Sequence, residues 1–266
     1  MMDSEPVNAI ANATTILTCG DNYTYICLCG ERCAFVVDPT DAAMVLRVLD
    51  ERRLTLTAAL LTHHHADHTA GLAELKSATG CQVVGPDARR IAGIDRLVRD
   101  GDTIELGDRT TEVLATHGHT RTSVCYYLPA SPNAGPGSVF TGDTLFVGGC
   151  GRPLECDAHV LWASLQRLAA LPEETLVWCG HDYTAENYEF ALTIEPDNQA
   201  VRERLNEIRR AAAEGRPSVP STIACEKATN VFLRAGDSTV RAAVGVGDAN
   251  SERTFAELRR RKNLFG

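Results

Sequence analysis

The chain has 266 residues, of which 44% are hydrophobic and 23% are charged, and its formal net charge at neutral pH is −9. This length fits one large domain or a large domain with a small companion, and the composition supplies a full apolar core, which excludes disordered, collagen-like and coiled-coil proteins. The excess of acidic over basic side chains argues against a nucleic-acid partner, because nucleic-acid binding requires a basic face.

Short β-rich runs separated by turn residues fill the first two thirds of the chain. The predicted strands are residues 15–18, 23–29, 34–37, 58–62, 82–85, 103–106, 110–115, 123–128, 139–141 and 176–179. Apolar residues at helical spacing predict helices over residues 41–51, 69–78 and 157–171. This part of the chain is therefore strand-rich, with helices that cover the sheets.

Beyond residue 180 the pattern becomes mainly helical. Helices are predicted over residues 184–194 and 198–214, followed by an irregular stretch around Pro217 and Pro220 and a last helix over residues 251–261. Because the strands stop where these helices start, we expect two domains, residues 1–182 and residues 183–266.

The sequence predicts no membrane partner and no framework of disulfide bonds. Residues 122–142 lack charged side chains, but they contain three prolines and three serines, which do not suit a membrane span. Residues 1–12 lack the basic start of a secretory signal, so we expect a cytoplasmic protein. We interpret Cys27, Cys29 and Cys33 as small buried apolar residues and not as metal ligands.

The segment Thr-His-His-His-Ala-Asp-His at residues 62–68 follows an apolar run and precedes a helical pattern. Its His63, His65, Asp67 and His68 leave one strand end together, and imidazole and carboxylate are favoured ligands of zinc and of divalent iron or manganese. A polyhistidine surface turn is the alternative, but chance rarely produces the pattern H-x-H-x-D-H. The segment therefore predicts a metal site.

Other strand ends present further ligands. His119, Asp143 and His181 each lie just beyond a predicted strand, in a turn that contains glycine. Any one of them alone is more typical of a turn or capping residue, but together with residues 62–68 they favour a shared metal site. No metal role is assigned to His64, His117 or His159.

These motifs resemble those of the metallo-β-lactamase superfamily, and more closely those of its glyoxalase II branch, the hydroxyacylglutathione hydrolases. The motifs that carry the resemblance are THHHADH, GHT at residues 118–120, FTGDTLFVGGCGR at 140–152, GHDYTAEN at 180–187 and RRRKNLF at 259–265. The resemblance implies an α+β fold, an αββα sandwich with a smaller C-terminal helical domain. It also implies a binuclear metal site, with His63, His65 and His119 on one ion, Asp67, His68 and His181 on the other, and Asp143 bridging both.

The resemblance implies that such a site hydrolyses thioesters by attack of a hydroxide held between the two cations, with Asp67 and Asp143 as the expected catalytic carboxylates. A thiol leaves readily as a thiolate, because its pKa is about 8.5 to 9. Two divalent ions are expected, with zinc as the first choice and iron or manganese as alternatives. The implied reaction is the hydrolysis of S-(2-hydroxyacyl)glutathione, S-D-lactoylglutathione above all, by a monomer.

The basic C-terminal residues are the expected binding site for the anionic glutathione moiety. Residues 251–266 carry five basic and two acidic side chains. The resemblance assigns the glutathione contacts to Arg259 and Lys262, with Arg152 and Tyr183 lining the same groove. A solvated, charged final helix without a binding role is the alternative interpretation.

Three segments depart from the family pattern. Arg121-Thr122-Ser123 stands where a second Gly-His pair is usual, Pro153-Leu154 stands where an aromatic triplet is usual, and Asn230-Val231-Phe232 replaces Asn-Pro-Phe. These departures raise the alternative of a different thiol carrier or acyl group.

Two further alternatives have different chemistry. A persulfide dioxygenase of the same superfamily carries the same H-x-H-x-D-H pattern, although the long helical C-terminal segment favours the hydrolase. A non-catalytic metal-binding or thiol-sensing protein would use the ten cysteines. A β-lactam hydrolase, usually secreted, and a nuclease, which needs a basic face, fit the sequence less well.

Overall fold

The computed structural model describes residues 14–132, 135–246 and 250–265. The chain divides into two compact units. The first is built from the chain up to Leu114 together with Tyr126–Ser138, and the second from Ala115–Cys125 together with the chain from Val139 onward. The boundary expected at residue 182, where the predicted strands give way to predicted helices, stays a prediction.

The first unit is centred on a six-stranded sheet. Its strands are β1 (Thr14–Cys19), β2 (Asn22–Leu28), β3 (Cys33–Val37), β4 (Thr55–Leu60), β5 (Gln82–Gly85) and β6 (Arg96–Leu97), and they lie in the sheet in that order. The first three strands form an antiparallel meander, whereas β3, β4, β5 and β6 are parallel to one another. Two further strands, β7 (Thr103–Leu106) and β8 (Arg109–Ala115), pair as an antiparallel hairpin, and β9 (Val124–Leu128) lies beside β8.

Helices connect the parallel strands of the first unit. They are α1 (Ala42–Arg52), the short α2 (Ala66–Thr69) and α3 (Leu72–Thr79). Asp41 caps α1 by accepting a hydrogen bond from Met44 N at 3.0 Å. Val45 and Leu49 of α1 and Leu75 of α3 pack on Val36 of the sheet in one buried cluster. This apolar packing fixes the carboxyl ends of β3 and β4, where polar residues follow.

The second unit contains most of the helices. Its strands are β10 (Ser138–Gly142), β11 (Leu145–Phe146), β12 (Gly149–Cys150), β13 (Leu176–Cys179) and β14 (Ser221–Thr222). Strand β13 lies between β14 and β10, and β11 and β12 form a small hairpin. Its helices are α4 (Ala158–Ala169), α5 (Thr184–Ile194), α6 (Gln199–Ala213), α7 (Ile223–Thr229), α8 (Ser238–Val244) and α9 (Ser251–Lys262).

Aromatic side chains join the helices of the second unit. Trp162 of α4 lies 5.4 Å from Phe255 of α9, and Phe255 lies 6.0 Å from Phe232, as measured between ring centroids. Phe232 in turn stacks on Phe190 of α5 at 5.8 Å. Because each aromatic ring buries a large apolar area, this chain of contacts fixes α9 against α4 and α5.

Strongly patterned elements were predicted correctly. The predicted strands at residues 82–85, 103–106 and 176–179 and the predicted helix at 184–194 match the structure residue for residue. Cys27 and Cys29 are buried, as their interpretation as small buried apolar residues requires, whereas Cys33 is only partly buried. Burial raises the pKa of the Cys27 thiol to about 12.

Two helical predictions were wrong in detail. The helix predicted over residues 69–78 is interrupted, since α2 ends at Thr69 and α3 starts at Leu72. Gly71 lies between the two helices, and a Cβ added there would lie 2.8 Å from Pro39 O and 2.7 Å from Ala42 N. The backbone at Gly71 is therefore in close contact with the backbone of residues 39–42. The stretch after Pro220 contains α7 and α8, which were not predicted.

Within the described ranges, none of the helices is both long enough and apolar enough to cross a bilayer.

Candidate metal centre and substrate groove

The His-rich segment forms the turn that follows β4 in the first unit. His63 and His68 are at most 1% exposed, whereas Asp67 is exposed. The Nε2 atom of His63 lies 3.1 Å from Nδ1 of His65, so two imidazole nitrogens face each other. Adjacent imidazole nitrogens at this distance suit two ligands of one cation.

Asp38 organises this turn, although it was not among the predicted site residues. It follows β3, is 2% exposed and has a left-handed φ of 48°. Its carboxylate accepts hydrogen bonds from Thr62 N at 2.8 Å, Thr62 Oγ1 at 2.6 Å and His68 Nδ1 at 3.0 Å. A proton on Nδ1 leaves Nε2 of His68 as the nitrogen available to a metal.

Ligand atoms of Asp38, His63 and His68 lie within 4.8 Å of one another. The signal for Asp38 was present in the sequence, because an acidic residue directly follows the predicted strand 34–37, just as the proposed metal ligands follow their own predicted strands.

Asp67 is held by side chains from neighbouring segments of the first unit. Asn22 Nδ2 donates to the Asp67 carbonyl oxygen at 3.2 Å and to its Oδ2 at 3.1 Å, and Thr40 Oγ1 donates to the same carbonyl at 2.7 Å. The Oδ2 atom of Asp67 lies 3.5 Å from Nε2 of His68. These contacts orient an exposed carboxylate toward a buried imidazole.

The second unit brings three predicted ligands together. His119 lies beyond the end of β8, Asp143 directly after β10 and His181 two residues after β13. All three are at most 8% exposed. Oδ2 of Asp143 lies 3.4 Å from Nε2 of His119 and 3.4 Å from Nε2 of His181. The strand ends thus bring two imidazole rings close to the same carboxylate oxygen.

Neighbouring groups fix the orientation of these ligands. Nδ1 of His119 donates to the carbonyl oxygen of Arg152 at 2.9 Å, which leaves Nε2 for a metal. The ring of Tyr183 stacks on His181 at 5.0 Å with an interplanar angle of 8°. An added Cβ at Gly151 would lie 1.9 Å from the carbonyl oxygen of Asp143, so this position requires glycine.

The donor set fits divalent metal ions. Two ligand atoms that each lie about 2.1 Å from a tetrahedral ion are about 3.4 Å apart. The two nitrogen-to-oxygen distances at Asp143 have this length. Neutral imidazole nitrogens and carboxylate oxygens match the preferences of zinc, iron and manganese.

A groove of about 530 Å³ in the second unit opens beside His119 and Asp143. Its volume lies in the range of small-molecule sites. All four predicted substrate-binding residues line it, namely Arg152, Tyr183, Arg259 and Lys262. The structure therefore brings the predicted basic and aromatic side chains to the same groove as two predicted metal ligands.

The two basic residues of α9 in the groove are largely buried and packed on aromatic rings. Arg259 donates from Nη1 to the carbonyl oxygen of Cys150 at 2.8 Å and from Nε to Asn263 Oδ1 at 3.1 Å, and its guanidinium lies 5.1 Å from the Phe232 ring centroid. Lys262 pairs with Glu186, and its ammonium lies 5.1 Å from the Phe265 ring centroid. Both cations are held in defined positions.

Two departures from the family pattern, those at Arg121 and at Leu154, lie beside residues that line the groove. Arg121 N donates to Glu155 Oε2 at 2.8 Å, and Arg121 Nε donates to the carbonyl oxygen of Glu155 at 3.1 Å. These bonds tie the turn after His119 to the loop after Arg152. Leu154 lines the groove and is 59% exposed, so an apolar side chain occupies the rim.

Sequence reasoning also missed Glu226, a completely buried carboxyl group on α7. It accepts hydrogen bonds from Ser221 Oγ, from Gly148 N at 2.8 Å and from Asn230 Nδ2 at 2.9 Å, and Asn230 Nδ2 also donates to Gly149 O at 2.9 Å. Burial raises the pKa of the Glu226 carboxyl above its ordinary value. These bonds hold the β11–β12 hairpin, whose Phe146 and Cys150 line the groove.

Comparisons with known proteins agree with this arrangement. A model of the metallo-β-lactamase superfamily matches residues 18–181, and a model described as the hydroxyacylglutathione hydrolase C-terminus matches residues 182–265. A hydroxyacylglutathione hydrolase from Brucella ovis is 46% identical over 231 residues, which cover 86% of this chain and 88% of that protein.

Solved structures show the same fold. ETHE1 from Myxococcus xanthus has a TM-score of 0.62 at 29% identity, over 95% of this chain and 99% of that chain. TTHA1623, solved in a di-iron-bound form, has a TM-score of 0.59 at 26% identity, over 83% of this chain and 99% of that chain. The observed elements are therefore those of a metallo-β-lactamase fold with a C-terminal helical segment.

Proposed function

Because the chain belongs to the hydroxyacylglutathione hydrolase family of the metallo-β-lactamase superfamily, we propose that it hydrolyses S-(2-hydroxyacyl)glutathione, S-D-lactoylglutathione above all, to glutathione and a 2-hydroxy acid. One observation carries this proposal. The segment that matches the hydroxyacylglutathione hydrolase C-terminus supplies Arg259 and Lys262 to a groove that His119 and Asp143 also line.

The cofactors are divalent metal ions, which the His and Asp groups of this fold indicate. We propose two zinc ions, with iron or manganese as alternatives. The proposed ligands follow the family resemblance: His63, His65 and His119 for one ion, Asp67, His68 and His181 for the other, and Asp143 for both. In such sites the ions supply Lewis acidity and lower the pKa of water.

The side chains of this protein orient the ligands and the substrate. Asp38 fixes the tautomer of His68, and the carbonyl oxygen of Arg152 fixes the tautomer of His119. Asp143, buried between two imidazoles, would carry the negative charge that balances the cations. Asp67 is the second proposed catalytic carboxylate, and Asn22 and Thr40 hold it in place.

The chemistry of the leaving group matches this machinery. The thiol of glutathione has a pKa of about 8.5 to 9, so it departs as a thiolate without a general acid. The cations of Arg152, Arg259 and Lys262 would attract the two carboxylates of the glutathione moiety, because charge-assisted hydrogen bonds are stronger than neutral ones. Tyr183, stacked on His181, would lie against the same moiety.

The remaining expectations stay part of this proposal. We place the enzyme in the cytoplasm as a monomer that acts on a small-molecule glutathione thioester. There are two alternative activities. One is that of a persulfide dioxygenase. The other is that of a thioesterase for another thiol carrier, and the exposed Leu154 in the groove favours this second alternative.

One assay panel tests the proposed function. Protein reconstituted with zinc, iron or manganese is given S-D-lactoylglutathione, thioesters of other thiols and glutathione persulfide, and the metal content is measured on the same sample. We expect release of glutathione from S-D-lactoylglutathione. We expect Asp143→Asn to lower kcat/KM by at least about 100-fold, because it removes the carboxylate charge that lies between the proposed metal ligands His119 and His181.

The matched control is Asp157→Asn, which changes an exposed aspartate at the start of α4 and should leave the rate unchanged. Oxygen consumption with glutathione persulfide and no thioester hydrolysis would replace the proposal with the dioxygenase. Activity on a non-glutathione thioester alone would keep the chemistry and reject the substrate.

A further inference from the structure

The β11–β12 hairpin contacts all three proposed metal ligands of the second unit. Phe146 of β11 lies 5.9 Å from His181, measured between ring centroids, and the two rings are nearly perpendicular at 88°. Gly151 directly follows the hairpin, and a Cβ added there would lie 1.9 Å from the carbonyl oxygen of Asp143 and 3.3 Å from Nδ1 of His119. The position of this hairpin therefore affects where the three ligands lie.

Side chains from the C-terminal helical segment bond the backbone of this hairpin. Its two strands have two residues each, so several of its backbone groups need partners outside the hairpin. On the side of α5, Asn187 Nδ2 donates to the carbonyl oxygen of Val147 at 3.1 Å. A Cβ added at Gly149 would lie 2.4 Å from the same nitrogen. The hairpin is thus bonded to α5 and in close contact with it.

Glu226 of α7 and Asn230, which directly follows α7, bond the hairpin from a second helix. Oε2 of Glu226 accepts hydrogen bonds from Gly148 N at 2.8 Å and from Asn230 Nδ2 at 2.9 Å. The same Asn230 nitrogen donates to the carbonyl oxygen of Gly149 at 2.9 Å. Glu226 and Asn230 are completely buried. Because a buried polar group without a partner is costly, these bonds hold the hairpin in one position.

We propose that Glu226 and Asn230 are positioning residues for the metal centre, and that they act on its ligands through the β11–β12 hairpin. This inference rests on the proposed function, because His119, Asp143 and His181 are metal ligands under that proposal. Metal–ligand distances vary by only about 0.2 Å, so a small shift of the hairpin is enough to weaken metal binding.

The two oxygens of the Glu226 carboxylate have different partners. Oε1 accepts a hydrogen bond from Ser221 Oγ, whereas Oε2 bonds the hairpin through Gly148 N. Loss of a buried hydrogen bond at either oxygen should destabilise the fold. We expect only a loss at Oε2 to reach the metal ligands, because Ser221 lies on β14 and not in the hairpin. Changes at the two oxygens therefore distinguish positioning from stability.

Four variants use this difference. Glu226→Met removes the acceptor at nearly the same volume, and Asn230→Ser shortens the side chain that reaches Gly149 O. Glu226→Gln keeps an acceptor oxygen for Gly148 N, and its amide group can donate to Ser221 Oγ. Ser221→Ala, the matched control, removes only the donor to Oε1 of Glu226.

Three measurements are made on each variant. Competition with a chromophoric chelator gives the Kd of zinc, and circular dichroism gives the Tm of the metal-free protein. The visible absorption of the Co²⁺-loaded protein reports the number and geometry of the metal ligands.

In Glu226→Met and Asn230→Ser we expect the Kd of zinc to rise about tenfold and the Co²⁺ spectrum to change, because the ligands are no longer held in place. In Glu226→Gln and Ser221→Ala we expect a Kd within about twofold of the wild type and an unchanged spectrum, because the hairpin keeps its acceptor. Ser221→Ala should nevertheless lower Tm.

An unchanged Kd and spectrum in a folded Glu226→Met or Asn230→Ser variant would overturn the inference. The same loss in Glu226→Gln or in Ser221→Ala would also overturn it, because residue 226 keeps its bond to the hairpin in these variants. If Glu226→Met does not fold, Asn230→Ser decides by the same criteria.

These measurements need no turnover. A wild type that binds zinc but does not hydrolyse S-D-lactoylglutathione would reject the proposed function, while the metal measurements still decide the role of Glu226 and Asn230. A wild type that binds neither zinc nor Co²⁺ would overturn both proposals, because no metal ion would then depend on the hairpin.

Discussion

At the scale of single residues, one buried carboxylate organises the first set of proposed ligands. Asp38 accepts hydrogen bonds from the backbone and the hydroxyl of Thr62 and from His68, and its own carbonyl oxygen accepts from Thr24 Oγ1 at 2.6 Å. A partner that fixes the tautomer and raises the basicity of a ligand imidazole strengthens metal binding. If His68 holds a metal ion, as proposed, Asp38 would act on that ion through His68.

We predict that Asp38→Asn lowers metal affinity about 10- to 100-fold. The amide keeps the shape of the side chain, but it loses the charge that favours the Nδ1 proton of His68. Competition with a chromophoric chelator measures the affinity. The control is Asp50→Asn, an exposed aspartate on α1. Equal metal affinity in Asp38→Asn and the wild type would contradict this role.

At the scale of elements, the last helix combines a buried face with an exposed network of charges. Phe255, Leu258, Arg259 and Lys262 of α9 are buried. On the outer face Glu257 bonds Arg260 Nε and Arg261 Nε, each at 2.8 Å. The basic C-terminal segment is thus partly neutralised, because these arginines pair within their own helix.

The hydrogen bonds from Arg260 and Arg261 lower the pKa of Glu257 from 4.5 to about 2. A lowered pKa in the folded state stabilises the fold above the unfolded value of 4.5, and this stabilisation is lost as the pH falls toward 2. We predict that Glu257→Gln lowers Tm by about 2 °C at pH 7, and that this difference from the wild type shrinks below pH 4.5.

Thermal unfolding followed by circular dichroism between pH 3 and pH 7 measures this effect. Glu252→Gln, at the exposed first turn of the same helix, is the control and should show no such convergence with the wild type. A constant difference in Tm across this pH range would show that Glu257 acts through packing and not through its charge.

At the scale of the whole molecule, bound metal adds to the stability of the fold. A ligand that binds only the folded state stabilises it by about 2.7 kcal/mol when its concentration is 100 times Kd. For a chain of this size we predict that zinc raises Tm of the chelated protein by about 5 °C or more.

Differential scanning calorimetry before and after chelation, and again after zinc is restored, measures this shift. Asp143→Asn should respond less to zinc, because it lacks a charge that contacts His119 and His181. The same Tm with and without zinc would contradict a metal bound by the folded state.

The sequence by itself determined the elements and the residue types of the site. Alternating or helical apolar patterns located strands such as 82–85 and helices such as 184–194, because these patterns depend on residues close together in the chain. Each of His119, Asp143 and His181 was recognised because it follows a predicted strand. The family motifs identified the fold and the hydrolase family.

Tertiary structure alone decided which partners these residues have. Asp38 meets His68 across 30 positions of sequence, and Lys262 meets Glu186 across 76. Helix α7 was not predicted because its buried face includes Glu226, a polar residue that becomes suitable for burial only when Gly148, Ser221 and Asn230 donate to it. Such hydrogen bonds leave no periodic pattern in the chain, because donor and acceptor meet only after folding.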